Sequence, residues 1–296
     1  MDTPIQYVIF PGGPGLGSQS LEPLLRNLTE VMSLQAINLP ETDSLSNSPF
    51  KTYDDIIEYL LQEYFRDDKD YVLIGHSYGA IYAAEIAVRL EERLRGLITI
   101  AAPLTSSLKE HLDSLQTQLI GLSTPFRTAW GDYTAKPSSA SYRDLSAAYA
   151  PFLSKDPHNQ EVIRKLFLTS AVSPLATRYW QKSTKAYSKL EEDMRFLACP
   201  KLSILGIDDQ LTPYALASTD MQRLGFEVQR VAGGHLPYIE NGDTELCILE
   251  WIFYRVLHHQ PHTFDALEDL PKHVQLRLIE LLTLGPMTLP GEWSQL

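Results

Sequence analysis

Cysteine is scarce in this chain: two in 296 residues, Cys199 and Cys247. Two distant cysteines make neither a disulfide framework nor a metal-ligand set, and buried packing is the ordinary use of a free thiol. Basic residues are outnumbered, 25 Lys and Arg against 37 Asp and Glu, for a formal net charge of −12. That balance argues against a nucleic-acid partner, because neutralising phosphates takes clustered cations. Long apolar runs are missing too; none approaches the roughly 20 residues needed to span a bilayer. The opening MDTPIQYVIF has no cationic segment and no extended apolar core, so it reads without a secretory signal. A soluble protein of a reducing compartment, the cytoplasm, is the expectation. What remains is an ordinary globular composition, 44% hydrophobic and 21% charged, in a chain long enough for a full-sized core.

The first hundred residues alternate short apolar runs with helical spacing. Ile5–Phe10, Ser33–Leu39, Tyr71–Ile74 and Leu94–Ala101 read as strands. Ser20–Met32 and Thr52–Phe65 read as helices between them, and Pro40–Phe50 as a polar loop. Such alternation predicts a mainly parallel sheet with helices on both faces. From Leu104 to Ala198 the rhythm changes. Ser106–Leu122, Ser141–Leu153, Asn159–Ser170 and Pro174–Leu190 carry helical spacing and many aromatics. Aromatics at that spacing are more often core than pocket, but a helical insertion standing over the sheet would turn some of them inward. Pro200 restarts the strands at Leu202–Leu205 and Phe226–Val231, with helices over Pro213–Leu224 and Thr244–Leu257.

Two glycine-rich stretches carry the chemistry. After the first strand comes Pro11-Gly12-Gly13-Pro14-Gly15-Leu16-Gly17. It fails both phosphate-binding patterns: no lysine follows the glycines, and no glycine stands three residues after Gly15. The other functional reading is an oxyanion loop, whose bare backbone lets an N–H approach a developing alkoxide. Pro14 cannot donate; Gly13 is the better donor, and Gly12 remains open. A plain tight turn is the bland alternative. The second stretch, Gly75-His76-Ser77-Tyr78-Gly79, joins an apolar strand to an alanine-rich helix. Glycines two residues on either side of Ser77 would let strand and helix approach closely around a strained serine. A bare G-x-S-x-G arises by chance in roughly one chain in ten of this length, so it needs partners elsewhere in the chain.

Those partners are present in order. GGPG at 12–15, GHSYG at 75–79, GIDDQLTP at 206–213 and GGHLPYIE at 233–240 together resemble a capped α/β-hydrolase of the proline-iminopeptidase-like type. The resemblance organises residues 5–258. It implies a nucleophile, an acid and a histidine following one another at the carboxyl ends of strands, and a cofactor-free serine hydrolase acting on a small or medium ester or amide. Ser77 takes the nucleophile position and His235 the base. For the acid, Asp209 fits the family spacing G-x-x-D-x-x-x-P, with Asp208 as its competitor. Gly13 and Tyr78 would supply the oxyanion N–H groups, and His76 would point away from the nucleophile in a structural role. The rival from another class is a non-catalytic or regulated binding protein on a hydrolase scaffold.

Departures from the family are informative. Pro11 stands where a histidine is common, Tyr78 where iminopeptidases usually carry tryptophan, and no chain is left for two antiparallel strands before Ile5. The expected α/β fold is therefore a sheet of about six strands: core 1–103 and 199–258, helical cap 104–198, extension 259–296. Acidic residues to hold a substrate amine cannot be singled out among Glu110, Asp132, Asp144 and Glu161. In the extension, Val274, Leu276, Leu278, Ile279, Leu281, Leu282 and Leu284 form a broad apolar surface. It must be covered, by the protein's own core, a second copy or a protein partner.

Overall fold

The computed structural model describes residues 4–40, 50–66, 68–174, 176–177 and 186–257. In chain order they form β1 (Ile5–Phe10), a 3-10 turn (Ser18–Leu21) running into α1 (Glu22–Leu28), β2 (Leu34–Ala36), α2 (Tyr53–Tyr64), β3 (Asp70–His76), α3 (Gly79–Leu90) and β4 (Leu94–Ile100). Helices follow: α4 (Ser106–Leu122), α5 (Thr124–Ala135), α6 (Ser139–Ala148), α7 (Ala150–Leu153), α8 (Pro157–Thr169) and α9 (Ala186–Phe196). The sheet resumes with β5 (Lys201–Gly206), α10 (Tyr214–Arg223) and β6 (Glu227–Val231). The described chain then ends with α11 (Pro237–Glu240), α12 (Asp243–Trp251) and a π-helical turn (Ile252–Leu257).

Neighbouring strands pair in parallel throughout, in the spatial order β2-β1-β3-β4-β5-β6. This is the six-stranded α/β sheet expected from the sequence. The order turns back on itself beside β1: the chain moves outward to β2, then crosses to β3. Loops leaving β1 and β3 therefore diverge at the carboxyl edge, opening a crevice where sheets of this kind hold ligands. β3 lies in the middle and is buried along its whole length. Its Tyr71 and Leu73 join a core with Ile56, Ala83 and Met221, whereas Val72 and Ile74 join the opposite core with Leu24, Phe126 and Trp251. The two-residue period of the strand thus feeds both faces of the sheet.

Several boundaries differ from the pattern in the sequence. Of the expected Ser33–Leu39 strand only Leu34–Ala36 is strand, beside β1 at the sheet edge. The expected helix over 141–153 is two: α6 ends at Ala148, and Pro151, which has no N–H to donate back, sits in the first turn of α7. Helix α5 was not expected, although its signals are in the sequence. The Ser123 hydroxyl accepts from the Phe126 N–H at 3.3 Å, and Pro125 occupies the first turn. Most of 174–190, most of the 40–50 loop, and the 259–296 extension with its proposed partner contact lie outside the described residues.

Lys201 shows how the sheet is tied to its flanking helices. It opens β5 and is buried, yet its ammonium is not wasted. Nζ donates to the Met194 carbonyl at 2.6 Å and the Leu224 carbonyl at 2.8 Å. These are the carboxyl ends of α9 and α10, where a cation opposes the helix dipole. Burial presses its pKa down from the ordinary lysine value. Replacing Lys201 by Met should lower unfolding stability by about 2–4 kcal/mol, because two buried carbonyls lose their donor. Urea unfolding of the variant measures this. A loss below about 0.5 kcal/mol would mean the carbonyls find other donors.

Candidate active site

Ser77 stands at the turn between β3 and α3. Its φ is +51°, a left-handed conformation that costs a non-glycine residue on the order of 1–3 kcal/mol. The surroundings hold it there. Its N–H donates to the Ile100 carbonyl at 2.8 Å. The flanking glycines are needed because the chain packs against itself: a Cβ on Gly75 would lie 2.3 Å from Ala80 Cα, and one on Gly79 2.3 Å from the Pro11 carbonyl oxygen.

His235 comes from the loop after β6 and meets Ser77 across 158 residues of chain. Its Nε2 is 2.8 Å from Ser77 Oγ, and its Nδ1 is 2.9 Å from Asp209 Oδ2. A carboxylate can only accept, so the ring proton sits on Nδ1 and Nε2 is left to accept from the serine hydroxyl. All three side chains are buried: the residues are 7%, 4% and 5% exposed in the order Ser77, His235, Asp209. The backbone around the ring is fixed as well. The His235 N–H donates to the Leu153 carbonyl at 2.8 Å, and the Gly234 N–H to Glu240 Oε1 at 2.7 Å.

The two neighbouring carboxylates separate cleanly. Asp209 Oδ1 accepts from the Leu211 and Thr212 N–H groups at 2.8 and 3.0 Å, and Oδ2 accepts from the Thr212 hydroxyl. Burial alone would push its carboxyl up. The His235 ring and the hydrogen bonds from His235 and Thr212 outweigh that and hold it below the usual carboxylate range. Asp208 faces outward and pairs with Lys155.

Gly12, Gly13, Ser77, Tyr78 and His235 border one cavity of about 140 Å³. The glycine loop on its rim is fastened to the helical segment. Gly17 N–H donates to the Ala171 carbonyl at 2.7 Å and Ser173 N–H to the Gly15 carbonyl at 2.6 Å, flanking an antiparallel bridge between Leu16 and Val172. A Cβ on Gly15 would strike the Ser173 carbonyl oxygen at 2.0 Å. That glycine serves a close backbone approach. The Tyr82 hydroxyl on α3 also holds the loop, donating to the Pro14 carbonyl at 2.8 Å. Of the aromatics in the helical segment, Trp130, Tyr142, Tyr149 and Phe167 reach the cavity wall.

His76 is the residue whose surroundings the sequence did not convey. Its Nε2 is 3.0 Å from the carbonyl oxygen of His235 and its Nδ1 3.4 Å from the Tyr238 hydroxyl. A Cβ on Gly12 would lie 2.4 Å from His76 Nδ1. The ring therefore touches both the loop bearing His235 and the glycine loop. A carbonyl can only accept, so the proton is on Nε2. Burial, and then the neighbouring His235, press its pKa down to about 3. Among the described residues no group of three or more His, Cys, Asp or Glu is placed to hold a metal ion. No helix there is long and apolar enough to cross a membrane.

Comparison with known proteins agrees with this architecture. Residues 8–246 match the sequence profile of the alpha/beta hydrolase family. The chain belongs to this family. Three solved structures illustrate the likeness of this alpha/beta hydrolase. An esterase from Thermogutta terrifontis superposes with a TM-score of 0.57 at 17% identity, covering 86% of this chain and 91% of the other. A proline iminopeptidase-related protein from Thermus thermophilus gives 0.59 at 18%, covering 86% and 90%. MenH from S. aureus gives 0.59 at 17%, covering 86% and 95%. At such identities the likeness speaks for the fold. A search of curated proteins finds no match.

The buried His76 makes stability depend on pH. An unfolded histidine takes up its proton near pH 6.5, whereas folded His76 resists protonation until about pH 3. Its contribution is therefore whole above pH 6.5 and is lost as pH falls towards 3, by about 1.4 kcal/mol per pH unit. Between pH 6 and 4.5 wild type should lose about 2 kcal/mol more than His76→Asn, since the carboxylates are common to both proteins. Guanidinium unfolding at several pH values reads this difference. Parallel slopes in the two proteins would contradict it.

Proposed function

We propose that this alpha/beta hydrolase is a serine hydrolase working through an acyl-enzyme. The observation that carries the reading is the unbroken hydrogen-bonded line from Ser77 Oγ through both ring nitrogens of His235 to Asp209. In the proposed mechanism Ser77 Oγ attacks a substrate carbonyl while its proton passes to His235 Nε2. Asp209 keeps the ring in the tautomer that can accept this proton and stabilises the imidazolium that forms. The N–H groups of Gly13 and Tyr78 would take the developing oxyanion, a donor type worth about 3–4 kcal/mol in a comparable site. Collapse of the tetrahedral intermediate expels an alcohol or amine, which leaves with the proton from His235. Water then attacks the acyl-serine ester, giving its proton to His235. Release of the acid returns that proton to Ser77, so each cycle consumes one water.

The division of labour proposed with this reading places catalysis in residues 1–103 and 199–258 and the shaping of the substrate in 104–198. Support comes from the origin of the side chains. Ser77, Asp209 and His235 follow β3, β5 and β6, while α4, α5, α6 and α8 furnish much of the cavity wall.

A fluorophosphonate probe should label the protein, and Ser77→Ala should abolish labelling; label retained in that variant would remove Ser77 as the nucleophile. Asp209→Asn should reduce kcat on an activated ester by on the order of 10⁴-fold, because the ring loses its tautomer lock. Asp208→Asn should stay within about threefold of wild type, since an exposed ion pair contributes little. Steady-state kinetics on both variants decides between the carboxylates, and the opposite ranking would transfer the role to Asp208.

A further inference from the structure

We propose that the cavity beside Ser77 selects an uncharged, apolar acyl group, so that the substrate class is an ester of an aliphatic or aryl-bearing carboxylic acid; this rests on the serine-hydrolase reading above. The cavity wall includes Leu112 and Leu115 of α4, Trp130 of α5, Leu145 of α6, Tyr149 just after it, and Phe167 of α8, with Gln116, Ser146 and Thr177 as uncharged polar neighbours. On α4 the spacing of Leu112, Leu115 and Gln116 turns one helical stripe to the cavity, and on α6 Tyr142, Leu145 and Ser146 do the same. Among the described lining residues there is no Lys or Arg, so an anionic acyl chain meets no cation from them.

Nor do the described lining residues offer an unpaired carboxylate to an ammonium. Asp113 is the one acid among the described lining residues, and it is spoken for. Both of its oxygens accept from Lys109 Nζ, at 2.6 and 2.5 Å, and its side chain is 59% exposed to solvent. Of the acids that the sequence offered for an amine, Glu161 is occupied by Arg164 and Lys165 on the outside of α8, and Glu110 opens on a separate cleft with Arg195 and Arg223. Asp132 and Asp144 do not line the cavity either. A charged group carried into the cavity would lose hydration without a charged partner among the described lining residues, an outcome that disfavours its binding. An uncharged chain meets leucine and aromatic surface instead, and gains by leaving water.

The experiment compares kcat/KM for three p-nitrophenyl esters of one chain length: the hexanoate, the adipate half-ester with its terminal carboxylate, and the 6-aminohexanoate with its terminal ammonium. The hexanoate should exceed both charged esters by about 100-fold or more, and should exceed the acetate as well. Leu115→Arg, at a half-buried wall position, should raise the adipate-to-hexanoate ratio at least about tenfold by supplying a counter-ion, with fluorophosphonate labelling of Ser77 reporting that the variant is folded. A charged ester hydrolysed as well as the hexanoate by protein that still labels at Ser77 overturns the specificity and leaves the nucleophile standing. An unchanged ratio in a labelled Leu115→Arg protein also overturns it. Failure of labelling together with failure on every ester overturns this proposal and the hydrolase reading beneath it.

Discussion

The contact on which the site depends is one buried imidazole bonded at both ring nitrogens. His235 joins a residue from the middle of the sheet, Ser77 after β3, to one near its far edge, Asp209 after β5. Two constraints make the contact hold. The strands place all three loops at the same carboxyl edge, and the loop after β6 is fixed by main-chain bonds to Leu153 and by Glu240. Burial then strengthens each hydrogen bond by excluding competing water, and makes any missing partner costly. Asp209 meets that requirement through two backbone N–H groups and a hydroxyl besides the ring.

The helical segment between β4 and β5 does more than cover the sheet. Its Leu153 carbonyl receives the N–H of His235, and its 171–173 stretch bonds to the glycine loop after β1. Both the proposed base and the proposed oxyanion loop thus lean on this segment through main-chain bonds. Movement of these helices would be felt at the proposed reacting groups as well as at the cavity wall. His76 adds a third tie, since its neutral ring touches the His235 carbonyl and the Gly12 backbone at once. The low pKa of this histidine has the same origin as its usefulness: it is dry and packed beside His235.

Charge is distributed unevenly between surface and cavity. The chain is strongly acidic in total, yet the described cavity wall is largely leucine and aromatic side chains with a few uncharged polar groups, and its one aspartate is exposed and paired. The family fold accommodates many chemistries, so substrate choice has to be argued from this wall.

How much of this was written in the sequence varies with the range of the interaction. Short apolar runs around Tyr71–Ile74 and Leu94–Ile100 encoded the parallel sheet, because a strand buried on both faces has little freedom in composition. The four glycine-bearing motifs marked Ser77, Asp209 and His235, since close backbone approach admits almost nothing but glycine and leaves a local trace. Caps are local too, and Ser123-Thr124-Pro125 announced α5 even though its apolar spacing did not. Tertiary structure alone decided the rest. That Asp208 pairs with Lys155 while its neighbour meets His235 depends on which way a loop faces. That His76 touches residues 12, 235 and 238 depends on loops brought together from distant parts of the chain. That Trp130, Tyr149 and Phe167 reach a cavity as well as a core depends on how separate helices pack. Helical spacing fixes which residues share a face, but what that face meets is set by elements far away in sequence, and no local pattern records it.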